Sequence, residues 1–523
     1  MKMNKLIYLA LIFAALLTSC KKDFLNTTKE DSYTSQNYWK TTDQATMYVT
    51  ACYTYLRDDW WKPFLTCCTD DSYSWSDWPS DIRLLGNGQA TASSGTIDHF
   101  WSFYYQAIAT ANIVHENIGS VPNMDETLRN RLDGEACFIR DYAYQQLIGL
   151  YGDVPLIDHL QTIAEFNAAT SPKADIVTFI LNDIDSYSNN LPTSYSGSDF
   201  GRVTRGAALA LKARVLLYSG QWTQAVVAAK AVMDLGVYGI DSNYASLFDG
   251  TNENSNEIIL SAIYTDLSKS SITTWVGGPF VGGWSQVVPT QALVDAYECT
   301  DGKTIDQSAV YDPLHPYDNR DPRLKMTIIV PGGVVNGTTI NVTDPASPYG
   351  LGKNNASYTD YYYKKWTPAV VSGDWMGNST ADMPLLRYDE VLLTYAEAKI
   401  EANDIDASVY TALNQVRQRA SVNLPAIISG TQAELRTIVR RERRVEFAIE
   451  EQRLFDIRRW GIAETVMVGN VYGILNNFKS ERADYGSHVL VETRVFNPSR
   501  DYVWGYPQSQ VDLDKNLTQN TNW

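Results

Sequence analysis

Two helical hairpins with alanine on their facing sides constrain this chain's fold more than any other feature. Val203 to Tyr218 reads as one helix and Thr223 to Leu235 as its partner, joined by the tight turn Ser219-Gly220-Gln221-Trp222. Ala213, Ala225 and Ala229 fall where the two helices must approach closely, with Tyr218 and Trp222 beside them. Small residues let two backbones draw together, and the flanking aromatics fill the remaining space. Leu385 to Ala402 followed by Ala407 to Ala420 is a second candidate pair.

Two such hairpins in a helix-rich chain predict a mainly α fold on a tetratricopeptide-like helical-repeat scaffold. More helices are expected from Asp43 to Arg57 behind the caps Thr41 and Thr42, and from Phe100 to Ile118. Glu126 to Tyr151 should stop at Gly152, with Pro155 just beyond, and Lys173 to Asn190 should stop before Pro192. Between about residues 240 and 383 the texture changes to Gly, Pro, Asn, Ser and Tyr, with short β-type runs at Ile258 to Ile263 and Met326 to Val330. A long loop-rich excursion inside a helical protein is functional or disordered, and this density of Trp and Tyr argues against disorder. The expected organisation is a single domain over residues 20–523. Its helical scaffold covers about 40–238 and 384–461, its irregular aromatic insert about 240–383, and an irregular tail 465–523.

Lys2 and Lys5 precede an apolar run from Leu6 to Leu17 that ends in Leu17-Thr18-Ser19-Cys20. The run is too short for a spanning helix and reads as a secretory signal over residues 1–19. Small residues before a cysteine form a lipobox, so Cys20 is the expected lipid anchor. No later stretch approaches the ~20 continuous apolar residues of a transmembrane helix.

The formal charge of −17 argues against nucleic acid and acidic membrane surfaces, whose attraction depends on Lys and Arg. Besides Cys20 the cysteines are Cys52, Cys67, Cys68, Cys137 and Cys299, without metal-type spacing, and they read as buried thiols. His99, His115, His159, His315 and His488 show no HExxH or other ligand spacing. There is no GxSxG elbow and no phosphate-cradling glycine loop before a helix. Asp70, Asp71 and Asp77 lie near a tryptophan cluster, but a glycosidase needs two carboxylates set across a scissile bond, and no glycosidase fold signal accompanies them. The reading is a binding protein with no catalytic residues, no cofactor and no metal-ligand set.

A succession of motifs runs through the C-terminal helices. Leu386-Arg387-Tyr388 and Glu390 to Leu393 lead into Tyr395-Ala396-Glu397-Ala398. Leu413 to Ala420 follows with Arg417 and Arg419, then Glu442-Arg443-Arg444-Val445-Glu446-Phe447, then Arg453 to Trp460 with Asp456, Arg458 and Arg459. Upstream stand Gly134-Glu135-Ala136 with Arg140, Tyr151 to Leu156, Asp301-Gly302-Lys303, and Asn319 to Leu324. This succession closely resembles the SusD/RagB family of outer-membrane nutrient-binding lipoproteins, in order from Cys20 to the C-terminus. Many members have glycine where this chain has Glu451. The resemblance implies a surface-exposed, lipid-anchored lid on a SusC-like TonB-dependent transporter, binding oligosaccharides or polysaccharides, with peptide binding of the RagB kind as the alternative and a glycoside hydrolase as a remote one. The motif residues themselves read as structural: charges three and four apart, such as Arg443 with Glu446 and Glu450 with Arg453, have the spacing of ion pairs that brace a helix face.

An exposed tryptophan suits the flat C–H face of a neutral sugar, while a few polar groups at the rim orient its hydroxyls. The best cluster is Tyr73-Ser74-Trp75-Ser76-Asp77-Trp78, where polar neighbours and the lack of helical period suggest exposed rings. Trp275 and Trp284 flank a glycine-rich loop able to bring backbone close to a ligand, and Trp375 follows Ser372-Gly373-Asp374. Trp75, Trp78, Trp284, Trp275, Trp375, Tyr73 and Asp77 are therefore the candidate glycan-binding residues. Trp39, Trp101, Trp222 and Trp460 lie on expected helices and read as core, and of Trp60 and Trp61 one is expected to pack.

Overall fold

Helices begin where the sequence supplies caps. In the computed structural model, which describes residues 38–78, 81–367 and 377–523, Thr41 accepts from the Gln44 amide while the Gln44 side chain bonds back to the Thr41 N–H, opening α1 (Thr42–Cys52). Ser94 and Asp125 cap α2 (Gly95–Asn117) and α3 (Glu126–Leu150) in the simpler way, and α4 (Lys173–Tyr187) starts behind Pro172. The first hairpin is α5 (Arg205–Tyr218) with α6 (Trp222–Met233), and the second is α7 (Tyr388–Glu401) with α8 (Ala407–Arg417). Then come α9 (Gln432–Glu446) and α10 (Gln452–Arg459).

Packing runs from helix to helix: α2 on α3, α3 on α4, α4 on α5, α5 on α6. Ala213, Ala225 and Ala229 are buried in the α5–α6 seam, and Gly220 takes a positive φ of 73° to turn the chain. The array continues across the insert, because α6 packs against α7, and α7 in turn against α8 and α9. The insert leaves and re-enters at one place, where β2 (Ile258–Ala262) pairs antiparallel with β8 (Met383–Arg387). Within or near it, β1 (Ser72–Tyr73) pairs with β3 (Val288–Pro289), β4 (Ile328–Ile329) with β7 (Tyr362–Tyr363), and β5 (Gly333–Val335) with β6 (Thr338–Ile340).

Two expectations need correction here. The run Met326 to Val330 is only partly extended, since Met326 and Thr327 close a short helix, Arg323–Thr327, before β4. The tail after residue 465 is less irregular than expected: β9 (Gly469–Leu475) and β10 (His488–Arg494) form a bulged hairpin. Val, Tyr and Ile suit a pleated, half-buried surface, and Ile474 and Val489 bury one side of it.

The largest correction concerns the charged motifs. They do not brace one helix face; they pair across elements inside the protein. Glu446 accepts from Arg323 and Arg419, each at 2.8 Å, and lies 3.5 Å from Arg387. Glu442 bridges Arg323 (2.6 Å) and Arg417 (2.7 Å), and Arg417 reaches on to Glu298 (2.7 Å). Arg387 and Arg419 share Glu257, and Glu450 binds Arg387 and Lys365. Arg443 meets Asp456 and Glu397 on other helices instead of Glu446, Arg459 meets Glu397 on α7 as well as Asp456 three residues before it on α10, and Arg453 binds Asp70 instead of Glu450. Burial opposes ionisation of Glu446, yet Arg419, Arg323 and Arg387 hold its carboxyl well below the ordinary range. Glu257, Glu298, Asp321, Arg323 and Lys365 belong to the insert, so this lattice docks the insert onto α7–α10.

Candidate functional site

Three separate stretches of chain meet at one aromatic surface. β1 carries Tyr73 into a short polar loop holding Trp75 and Trp78, and its partner β3 follows the loop that carries Trp284. That loop folds tightly on itself: Trp284 N–H donates to Thr274 O (2.7 Å) and Ser285 N–H to Gly277 O (3.0 Å). A Cβ on Gly283 would stand 2.0 Å from Gly277 O, so glycine there is required by self-approach of the backbone, not by approach to a ligand as its composition suggested. The third stretch is residues 355–358, tied to the second by the Ser285 hydroxyl donating to Asn355 O (2.7 Å).

The side chains line one strip in the order Tyr358, Trp75, Trp284, Trp78, with Trp75 joined to Trp284 through the latter's backbone carbonyl. Trp75 and Tyr358 stack with centroids 5.6 Å apart and planes 13° apart. Trp75 Nε1 donates to Trp284 O (3.4 Å), and the Trp284 and Trp78 rings lie 6.0 Å apart. Trp78 is 55% exposed and Tyr358 44%, while Trp75 and Trp284 are half-buried. Asp77 stands at the rim and is held by two Arg83 nitrogens at 2.9 Å, while the third lies 3.5 Å from Glu492.

Not every expected residue lies on this surface. Trp275 is fully buried: it contacts Trp60 (4.8 Å), Trp284 (5.4 Å) and Trp78 (6.2 Å) and bonds Ser271 Oγ (3.1 Å), so it supports the strip from beneath. Tyr73 is buried too, because its strand pairs with β3 and turns the ring inward. Burial, with Glu492 adding to it, pushes the Tyr73 phenol up to about 12. Trp375 and Cys20 lie outside the described residues. Tyr358 was not anticipated, although Asn355-Ala356-Ser357-Tyr358-Thr359 repeats the signal that singled out Trp75, an aromatic among small polar loop residues. Trp39 and Trp101 are core, as expected, whereas Trp222 and Trp460 are half-buried at helix ends. Trp60 packs on Trp275, and Trp61 stacks on His99 at 4.3 Å.

The acids next to the strip are structural. Asp70 and Asp71 both lie against Arg444 and Arg453. Burial would raise both carboxyls; the two guanidiniums overrule it at Asp70 and hold it low, whereas burial and the Asp70 charge push Asp71 up despite Arg444. Asp70, held as a carboxylate, has no proton to give to a leaving group, and Asp71 is buried against Arg444. The clustered carboxylates of Glu257, Asp389 and Glu446 are likewise claimed, by Arg387 and Arg419. A cleft of about 540 Å³ lies elsewhere, among Trp101, Tyr105, Phe166 and Gln510.

Comparison with known proteins gives a consistent result. The model of the SusD family matches residues 250–523, and a second one, described as starch-binding associating with outer membrane, matches residues 23–217. A SusD-like protein of Bacteroides ovatus is 26% identical over 86% of this chain and 81% of its own length. The starch-binding protein SusD of Bacteroides thetaiotaomicron is 25% identical over 76% of this chain and 73% of its own. Among solved structures, a SusD-like carbohydrate binding protein from Bacteroides fragilis superposes with a TM-score of 0.84 at 27% identity, covering 92% of this chain and 100% of that one. With the family model spanning more than half of its residues and the fold shared along nearly its whole length, this chain belongs to the SusD family.

Proposed function

We propose that this protein is a lipid-anchored, surface-exposed glycan receptor that captures neutral oligosaccharides or polysaccharides and passes them to a SusC-like TonB-dependent transporter. The observation that carries the reading is the strip Tyr358–Trp75–Trp284–Trp78, assembled from three stretches of chain and left open to solvent over a buried Trp275. Aromatic faces suit the C–H faces of pyranose rings, and the Asp77–Arg83 pair at the rim offers hydrogen-bonding groups without net charge. An overall charge of −17 disfavours polyanionic ligands. The starch-binding and carbohydrate-binding relatives agree with this chemistry. Cys20 at the end of the lipobox supplies the anchor, and no helix among the described residues is long and apolar enough to cross a membrane.

The test is affinity electrophoresis of the chain from Asp23 onward through gels containing plant, microbial and host polysaccharides. Retardation by one class, lost in Trp75→Ala, is the expected result. No retardation by any polysaccharide or in calorimetry with short oligosaccharides, together with heat released on titrating peptide pools, would replace this reading with peptide capture.

A further inference from the structure

The seam between α2 and α3 holds a group that neither the aromatic strip nor the charge lattice uses. Asp133 and Cys137 are one turn apart on α3 and so point to the same side, and His115 on the last turn of α2 faces them. His115 Nδ1 lies 2.9 Å from Asp133 Oδ1 and 3.7 Å from Cys137 Sγ, and Sγ lies 4.0 Å from Asp133 Oδ1. We propose that His115, Asp133 and Cys137 form a divalent-metal site of the zinc type, clipping α2 to α3.

The triangle of ligand atoms has the right size. Tetrahedral zinc, with bonds of about 2.0 Å to N and O and about 2.3 Å to S, needs ligand separations of roughly 3.3–3.6 Å. The three observed edges bracket that range within half an ångström or so, and none of the three atoms has to cross the seam to meet an ion. The set mixes a borderline nitrogen, a hard oxygen and a soft sulfur, which suits zinc and disfavours calcium and magnesium, which take oxygen-only cages. Access is graded: the His115 side chain is 44% exposed and that of Asp133 28%, while Cys137 is buried at the bottom. An ion can therefore enter from solvent between imidazole and carboxylate, and solvent is left as the fourth ligand.

One neighbour favours a metal thiolate against the burial that pushes the Cys137 thiol up. Arg140 Nη2 lies 3.6 Å from Cys137 Sγ and can donate to a sulfur anion, as the outer-shell donors of zinc thiolates do. Its own charge is balanced by Asp183 at 2.5 Å, and its other nitrogen bonds Asn112 Oδ1 at 2.7 Å. Binding M²⁺ forms the metal–sulfur bond and releases the thiol proton to buffer, with no change of oxidation state. The site is hard to read from sequence, since a histidine on one helix and an i, i+4 pair on the next show no motif spacing.

Cobalt tests this directly. The full-length protein, stripped with chelator, is titrated with Co²⁺ under reducing conditions. The expected result is one equivalent bound, with visible d–d bands of tetrahedral intensity and a near-ultraviolet sulfur-to-cobalt band, both abolished by Zn²⁺. Cys137→Ser should lose the sulfur band, and His115→Gln, altered at an exposed position, should weaken binding roughly tenfold or more with unchanged circular dichroism. If Cys137→Ser does not fold, Asp133→Asn takes its place with the same expected loss of affinity. Absence of a sulfur band in the parent, or its persistence in Cys137→Ser, would overturn the proposal and leave an ion pair beside a packed thiol.

Discussion

The insert meets the helical scaffold through buried charge and meets solvent through aromatic rings, and the two surfaces invert the usual distribution. At the scaffold side Arg323, Arg387, Arg417, Arg419 and Lys365 are enclosed with Glu257, Glu298, Glu442, Glu446 and Glu450. On the open side Trp78 and Tyr358 face water. Charges taken out of water need several well-placed partners each, so they make a joint that fits in one way only. Aromatic rings left in water lose little by staying there and gain by being covered. The first surface specifies a structure, and the second is available for a ligand.

The comparison breaks first if the lattice proves dispensable. Glu446→Ala would leave Arg323, Arg387 and Arg419 enclosed with one acceptor fewer, and removing one partner of a buried ion pair costs about 3–5 kcal/mol. Urea unfolding should show a midpoint lowered accordingly, with glycan affinity unchanged in the fraction that stays folded. A midpoint within experimental error of the parent would show that the lattice does not hold the insert in place.

Two tryptophans only 6.2 Å apart sharpen the same comparison. Trp275→Ala opens a cavity under the strip and should cost about 3–5 kcal/mol of stability. Trp78→Ala removes an exposed ring and should change stability by less than about 1 kcal/mol. Uncovering roughly 60–100 Å² of contact should instead weaken glycan binding by about 1.5–2.5 kcal/mol, some tenfold to seventyfold in Kd. Differential scanning calorimetry and titration calorimetry on the two variants give the four numbers. Equal stability losses in both would mean that Trp78 is a packing residue.

Most of the helical frame could be read from the chain because its signals are local. Thr41, Pro172, the Gly220 turn and the alanine seam act within a few residues of themselves, and the helices fall within a few residues of their expected ends. The partners of Arg443 and Glu446 could not be read that way. Their i, i+3 spacing looks like a surface pair, and only the insert's return through β2 and β8 brings Arg323, Arg387 and Arg419 to Glu446. The aromatic site was half legible for the same reason. A polar, aperiodic loop marks Trp75 and Trp78 as candidates, but whether a ring faces water depends on the element that carries it: Tyr73 turns inward on the paired strand β1, and Trp275 is buried on a short helix, Ile272–Val276. Tyr358 joins from a stretch far along the chain, and nothing near it in sequence points to Trp75.

Glu451 gives the one effect with a pH signature. It stands just before α10 with φ of 69°, a left-handed conformation that suits glycine. Burial pushes its carboxyl up to about 7 from an ordinary 4.5; Lys62 and Arg214 pull it down, Asp58 and Glu450 push it further up. The folded state therefore holds this proton more tightly than the unfolded chain. Its contribution to stability is complete below about pH 4.5 and is lost as pH rises through 7. Glu451→Gly should remove the left-handed strain, worth about 1 kcal/mol, and delete that decline. Parent and variant unfolding curves measured from pH 4 to 8 should then diverge towards neutral pH, with the variant the more stable. Parallel curves would mean that the carboxyl titrates alike in the folded and unfolded chains, and that glycine's advantage at this turn is conformational alone.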